Sequence, residues 1–360
     1  MFFEPQRSSL GLDLSDRSLK AVQLRRTLAG QLTLAGLAAI EVPAGVFEEG
    51  ELKDPTWLAS LISELLTHPQ LGAFSASYVV ACLPETKTFI KMIDIPPMPA
   101  EETSQAIRWE AEHHIPIPIE DTYWDWQKIG EPAGPNGRWP VLLGVVPKGI
   151  VDSYTQALDL AKLVPVALEI EAVAITRALL PLGQAADPSD TATVIIDLGA
   201  SRTSLIVVDH KVIQFTVSLP VSGRGITESI ATNLKLTESQ AEQAKILCGL
   251  DPKKCKGIIG EILGTVIDEL LSRIREAIVF YREHFPGSHE VDRIMLCGGG
   301  SNFKLIDQHL ERSLKLSVHR GNPWCNLEPS SAPLKPGELI GYTTAIGLAL
   351  RNFTVKPSYD

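Results

Sequence analysis

Apolar and polar positions follow two periods along the chain, one of strands and one of helices. At 193–208 an apolar run (194–196) meets a polar turn beginning at Asp197, and a second apolar run (205–208) follows. Short apolar runs bounded by turn residues read as buried strands, so this stretch predicts a hairpin with Asp197 at the end of its first strand. Residues 10–24 repeat the plan about half a chain earlier, with Asp13 in the place of Asp197. Residues 8–42 as a whole read as a β-meander. A helix is expected over 55–66, capped by Asp54 with Pro55 in its first turn. Strands are expected at 78–83, 88–95, 139–146 and 166–170, and helices at 100–114, 149–163 and 171–180. Beyond the second hairpin, helices start at 222–227 and run over 237–248, 260–285, 304–314 and 339–350. Thr237 and Gln240 form a capping box for the second of these. The third buries a stripe that includes Ile262, Leu263, Val266, Ile267, Leu270, Leu271, Ile274, Ile278 and Val279. A strand at 291–296 runs straight into Cys297-Gly298-Gly299-Gly300-Ser301-Asn302. Residues 130–137, 183–190 and 323–336 read as loops or linkers. The proline-rich shift in character marks 84–149 as a small inserted subdomain.

The chemistry sits in the turns. Gly199 lets the backbone turn tightly after Asp197, and successive N–H groups in such a turn make an anion-binding concavity. The hydroxyls of Ser201, Thr203 and Ser204 add donors, and an Asp at the strand end can hold magnesium. An ordinary Asp-Gly hairpin has the same composition. Two such hairpins, one per half, imply a duplicated α/β architecture with a nucleotide between the halves. The glycine-rich helix start at Ser222-Gly223-Arg224-Gly225 is a second anion site. Glu242 and Lys245 stand three residues apart on one helix face, a spacing shared with many surface ion pairs. The triple glycine between a strand and a helix either lets backbone approach a ligand or is a flexible turn. His113 and His114 are adjacent rather than four apart, so they read as exposed helix-end histidines, not metal ligands.

Composition narrows the classes. Across 360 residues, 44% are hydrophobic and 21% charged, with a net charge of −10. That is ordinary for a globular protein and argues against a nucleic-acid surface or an anionic-membrane patch. No apolar run approaches the ~18 residues that span a bilayer. No apolar stretch of signal-peptide type follows residues 1–7, and 351–360 carry no amphipathic anchor. The five cysteines are scattered without C-x-x-C spacing, so all are expected as reduced thiols in the cytosol.

The order of an Asp hairpin, a second Asp hairpin, a Glu/Lys helix and a strand–triple-glycine–helix unit resembles the actin, heat-shock chaperone and sugar kinase ATPase superfamily. Within it the inserted stretch resembles the PilM family of type IV pilus assembly. The resemblance is carried by Leu83-Pro84, Ile95-Pro96-Pro97-Met98, Ala106-Ile107, Glu110-Ala111-Glu112 and Ile115-Pro116-Ile117, with Phe280-Tyr281 and Val291-Asp292-Arg293-Ile294 further on. It implies an actin-like ATPase fold, two duplicated α/β lobes around a nucleotide cleft, with the insert in the first lobe. The implied subdomains are 1–83 with 150–190, the insert at 84–149, 191–221 with 291–360, and 222–290.

The resemblance also implies ATP and Mg2+ as cofactors. Asp13 and Asp197 would be the magnesium-holding catalytic carboxylates, and Glu171 would position the attacking water. Ser15, Ser18 and Lys20 would form the first phosphate loop, and Gly199, Ala200, Ser201, Arg202 and Thr203 the second. Gly223, Glu242 and Lys245 would meet the nucleoside, and Gly298, Gly299, Gly300 and Asn302 the adenine. Ser15 stands where many relatives carry glycine, and Asp16 adds a carboxylate that repels phosphates unless magnesium or Lys20 offsets it. Arg202 either assists phosphate binding or blocks it. ATP binding with at most slow hydrolysis is therefore expected. The implied partner is the cytoplasmic N-terminal tail of PilN, gripped between the first large subdomain and the insert, with pilus motor ATPases as further partners. Trp109, Ile115, Ile117, Tyr123 and Trp124 are the groove candidates. The implied location is cytoplasmic, at the inner membrane through PilN. A polymerising FtsA-like division protein and a small-molecule (sugar) kinase are the alternatives.

Overall fold

A computed structural model describes residues 8–48, 50–129, 137–182, 191–285, 287–329 and 334–354. The expected linker at 183–190, nearly all of the loop at 130–137, part of that at 323–336, both chain ends and the side chain of His114 lie outside them. The chain forms two compact units, Met1–Arg177 with Val212–Phe215 and Thr344–Asp360, and Ala178–Lys211 with Thr216–Thr343. No helix among the described residues is long and apolar enough to cross a membrane.

The first unit opens with β1 (Ser8–Leu14), β2 (Ser18–Arg26) and β3 (Leu32–Glu41), the expected meander. The short β4 (Phe47–Glu48) and β5 (Glu51–Leu52) lead to α1 (Pro55–Thr67). Asp54 caps α1 by accepting from the Trp57 N–H at 2.9 Å. β6 (Leu71–Gly72) and β7 (Tyr78–Leu83) complete the run before the insert. The insert holds β8 (Phe89–Ile95), α2 (Ala100–His114), β9 (Thr122–Lys128) and β10 (Trp139–Pro147). Its three strands pair in the order β8-β10-β9, and Ile93, Ile95, Val141 and Leu143 of the sheet pack with Ile107 and Ala111 of α2 in one core. That is a core separate from the main one, as an inserted subdomain requires. The chain returns through α3 (Lys148–Leu160), β11 (Val164–Ile170) and α4 (Glu171–Leu179). The main sheet of this unit runs β11-β7-β1-β2-β3-β6.

The second unit contains β12 (Ala192–Leu198), β13 (Thr203–Asp209) and β14 (Val212–Leu219) from Thr216 on. Then come α5 (Gly223–Leu234), α6 (Glu238–Cys248) and the long α7 (Ile258–His284). It closes with β15 (Val291–Cys297), α8 (Ile306–Leu314), β16 (Ser317–Arg320) and the four-residue α9 (Pro336–Leu339). Its sheet runs β16-β15-β12-β13-β14. This is the first sheet's plan again. In each, two successive parallel strands lie on one side of the first arm of an Asp hairpin, and a further strand follows the second arm on the other. Asp13 faces Lys20 across one hairpin and Asp197 faces Ser204 across the other.

Local differences have local causes. On α7 the buried face passes from Ile274 to Ala277 and Tyr281, which leaves Val279 exposed. Tyr281 continues that stripe at helical spacing, and its hydroxyl donates to buried Asp209 at 2.6 Å. The final helix, α10 (Thr343–Thr354), starts later than expected, after a separate turn over Ile340–Tyr342. The reading of all five cysteines as reduced thiols is corrected: Cys248 and Cys255 are joined as a disulfide with Cα atoms 5.9 Å apart. The turn after α6 brings Cys255, at φ 46°, back over the helix's last residue, a fold that spacing does not reveal. Cys82, Cys297 and Cys325 are not joined in a disulfide.

α10 belongs to the first unit and packs there without side chains in between. A methyl group at Gly347 would overlap the Ala174 carbonyl of α4, and one at Gly11 of β1 would overlap the Ala345 carbonyl. Beside this contact Glu169 is buried and takes both arms of Arg177, at 2.7 and 2.8 Å, together with Arg351 of α10. Arg177 also donates to the Gly347 carbonyl at 2.9 Å. Glu169→Ala removes the only anion of the triad, and breaking a buried pair this way costs about 3–5 kcal/mol. Chemical denaturation of the variant is expected to show a loss of that size, and a loss below ~1 kcal/mol would show that the triad is not structural.

Candidate functional site

In the first unit the end of β1 gathers the acidic groups. Asp13 is buried, and Oδ1 accepts from the Ser15 hydroxyl at 2.9 Å and from the Cys82 thiol at 3.5 Å. Lys20, its partner across the hairpin, places Nζ 3.7 Å from Oδ2. Ser18 closes the turn by accepting the Ser15 N–H at 3.3 Å. Glu171, the first residue of α4, joins Asp13 and Cys82 in a cluster whose ligand atoms lie within 4.8 Å of one another. Four of the proposed first-unit residues, Asp13, Ser15, Lys20 and Glu171, are thus brought together.

Cys82 and Tyr154 were not foreseen here. The Leu14 N–H donates to the Cys82 sulfur at 3.1 Å. Burial first, and then the charges of Asp13 and Glu171, push the Cys82 thiol well above its ordinary pKa. The Tyr154 hydroxyl is buried and makes no hydrogen bond among the described residues. Burial pushes its pKa well up, and the charges of Cys82, Asp16, Glu171 and Asp13 add to the effect. The surroundings of the first turn are therefore strongly anionic, with Lys20 as the cation on Asp13. The carboxylate oxygens fit a hard divalent cation such as magnesium, whereas a thiol held protonated does not ligate one.

In the second unit three segments meet at the end of β12. The Gly199 N–H donates to the Asp197 carbonyl at 3.1 Å. The Gly223 and Arg224 N–H groups donate to the Gly199 and Ala200 carbonyls at 3.0 and 2.9 Å. Gly225 N–H is taken by the Ser222 hydroxyl at 3.0 Å, so Ser222, not Thr227, is the cap. Of the N–H groups at this helix start, those of Gly223 and Arg224 are bonded to the hairpin and that of Gly225 to Ser222. Ser201 and Arg202 are exposed, while Thr203 and Ser204 are buried. The Thr203 hydroxyl has no hydrogen-bond partner among the described residues.

The triple glycine divides by position. A methyl group at Gly298 (φ 77°) would overlap a carboxylate oxygen of Asp197, and one at Gly300 would come within 2.8 Å of the Leu198 carbonyl oxygen. Gly299 has nothing within 4 Å of that position. Two of the three glycines are therefore explained by tight packing on β12, and Gly299 alone faces open space. Asn302 donates its side-chain amide to the Gly337 carbonyl at 2.6 Å.

Glu242 and Lys245 are more than a surface pair. Lys245 Nζ lies 2.7 Å from Glu242, 2.9 Å from the Thr227 hydroxyl and 3.0 Å from the Gly223 carbonyl. Thr227 donates to Glu242 at 2.5 Å. Burial alone would raise the Glu242 pKa, but the Lys245 and Thr227 hydrogen bonds outweigh it and hold the carboxylate below its usual range. Thr227 is the link that sequence missed, since its role arises where α5 crosses α6.

The groove candidates on the insert separate. Trp109 is 64% exposed and borders, with Trp124 and the Arg108–Glu112 ion pair, a surface groove of about 440 Å³. Ile115 and Trp124 also pack on the insert core, and Ile117 is half-buried. Tyr123, adjacent to Trp124 on β9, points the other way, as alternate strand residues must. Its hydroxyl donates to Asp152 of α3 at 3.2 Å, and Lys148 lies 5.8 Å from its ring centre. Asp152 in turn borders a second groove of about 400 Å³ on α3, with Thr155, Gln156, Asp159 and Leu160.

Comparison with known proteins bears on these sites. The family model described as Type IV pilus assembly protein PilM matches residues 11–353. Cell division protein FtsA of Enterococcus faecalis is 29% identical over 197 residues, 51% of this chain and 44% of FtsA. FtsA of Enterococcus hirae is 29% identical over 136 residues, 37% of this chain and 30% of that protein. The chain thus spans less than half the length of these curated relatives. Among solved structures, a PilM–PilN type IV pilus biogenesis complex is similar at a TM-score of 0.81 and 28% identity, covering 98% of this chain and 100% of that one. MreB5 of Spiroplasma citri bound to AMPPNP is similar at a TM-score of 0.53 and 14% identity, covering 98% and 97%, a likeness of fold alone. With the match running over 11–353, the chain belongs to the PilM family of type IV pilus assembly proteins and has the actin-like ATPase fold.

Proposed function

We propose that this protein is an ATP-binding scaffold of type IV pilus assembly that grips the cytoplasmic N-terminal tail of PilN, and so links an inner-membrane complex to the pilus motor. The observation that carries the nucleotide reading is the repeated Asp hairpin. The same sheet plan is used twice, each time ending a buried strand in an Asp beside a turn rich in hydroxyls. One copy has Lys20 and Glu171 near its Asp, and the other has the Thr227–Glu242–Lys245 cluster bonded to the segment behind its turn.

Asp13 and Asp197 hold magnesium in this reading, and Lys20 with the hydroxyl-rich turns contacts phosphate. The bound ion supplies the positive charge that offsets the polyphosphate. Asp16 adds a further negative charge felt at Tyr154 with those of Glu171 and Asp13, which the ion would also offset. Glu171 orients water without a second base, which fits slow turnover at most.

The PilN reading rests on the family and on the junction where Tyr123 of the insert reaches α3. A tail that orders on binding finds there an aromatic ring, a half-exposed Leu160 and the carboxylates of Asp152 and Asp159. The protein sits at the cytoplasmic face of the inner membrane through this partner.

Lys245→Met and Asp197→Ala are each expected to weaken magnesium-ATP binding at least tenfold in calorimetry with little change in melting temperature, since a charged hydrogen bond contributes about 1.5–3 kcal/mol. Unchanged affinity in both would remove this cluster and hairpin from the nucleotide site. For the partner, the measurement is fluorescence anisotropy of a labelled PilN N-terminal peptide with and without magnesium-ATP. Saturable binding is expected, weakened about tenfold or more by Tyr123→Ala and less than ~3-fold by Trp109→Ala. The reverse ranking would move the tail to the α2 groove, and no binding at all would sink the PilN assignment.

A further inference from the structure

The second unit holds a cluster of metal-binding side chains that neither the nucleotide nor the PilN reading uses. Asp209, at the end of β13, is buried at the start of the β13–β14 turn, and His210 follows it, exposed. His289 lies in the segment after α7. His289 Nδ1 is 3.0 Å from Asp209 Oδ1, and the two imidazole rings meet edge to face with centres 4.4 Å apart. One ligand atom from each of the three residues lies within 4.8 Å of the other two. We infer that Asp209, His210 and His289 form a binding site for a divalent transition metal of the zinc class, which ties the β13–β14 turn to the segment following α7.

The donor set selects the metal. Two imidazoles and one carboxylate suit zinc, nickel or copper, whereas magnesium and calcium take oxygen ligands. With metal–ligand distances of about 2.0–2.2 Å, neighbouring ligand atoms sit roughly 3.0–3.6 Å apart. The Asp209–His289 pair already meets this spacing, and rotation of the exposed His210 side chain closes the remainder. The carboxylate is also oriented from behind. Its other oxygen, Oδ2, accepts from the Tyr281 hydroxyl at 2.6 Å and from the His289 N–H at 3.2 Å, the kind of outer support that holds a ligand in place.

A purely structural latch explains Tyr281 and His289 but not His210. His210 and Lys211 both sit in the left-handed region, at φ 49° and 64°, in a turn where glycine and asparagine are the unstrained choices. That backbone carries the His210 ring to the edge of His289. The Lys211 ammonium is the opposing charge nearest in sequence, which favours a site with a modest rather than extreme affinity. A metal here closes a loop of some eighty residues that contains α5, α6 and α7, and so restrains the unfolded chain.

The test uses the full chain, stripped with a chelator and titrated with zinc chloride in calorimetry. His210→Ala and His210→Gln are the main variants, because the residue is exposed and both are expected to fold. Wild type is expected to bind zinc, with the site lost or weakened tenfold or more in both variants and in His289→Gln. Zinc is expected to raise the melting temperature of wild type and not of His210→Ala. Cobalt in place of zinc is expected to give a visible ligand-field band without a sulfur charge-transfer band, which separates this site from the Cys82 cluster. Zinc affinity and thermal shift unchanged in both His210 variants, or no zinc binding by wild type, would overturn the inference.

Discussion

Where β12 ends, backbone lies against backbone with no room for a side chain, and the second-unit site depends on that contact. Gly298 and Gly300 pass so close to Asp197 and Leu198 that any Cβ would collide. The same strand end bonds the start of α5 through the Gly199 and Ala200 carbonyls. α5 then presents Thr227 and the Gly223 carbonyl to Lys245 of α6. Hairpin, glycine turn and helix pair are thus one connected structure. A side chain inserted at the glycines would displace Asp197 before it touched any ligand.

The first unit solves a different problem, that of gathering negative charge. Asp13, Asp16 and Glu171 crowd around the buried Tyr154 and Cys82, and Lys20 answers Asp13 from across the hairpin. Elsewhere in this unit Glu169 takes two arginines and needs nothing further. The contrast is one of arrangement: one buried carboxylate is shared by two arginines, while in the other place a buried carboxylate meets a thiol, a hydroxyl and a lysine across a hairpin.

The insert shows how pattern and packing share the work. Its helix was legible because helical spacing is a local signal, and α2 spans the expected 100–114. Its aromatic residues were legible only as a group. Trp124 and Tyr123 are neighbours in sequence, yet the pleat of β9 sends one toward the Trp109 groove and the insert core and the other toward α3. Such a division exists only once the strand is paired and its faces are covered.

By itself the sequence determined the elements and the places of the two Asp turns. Alternating apolar runs, the Asp54 cap and the Thr237–Gln240 capping box depend on residues within a few positions of one another. The duplicated plan was visible for the same reason, since each hairpin is a local unit. The tertiary structure decided which residues meet. Cys82 lies beside Asp13 because β7 runs parallel to β1, and Thr227 reaches Glu242 because α5 crosses α6. Cys248 meets Cys255, and Asp209 meets Tyr281 and His289, through turns and packing that no spacing rule encodes. Local pattern reports the free energy of short segments. Contacts between residues far apart in the chain follow from how those segments bury their apolar faces together, and that is settled only when the whole core forms.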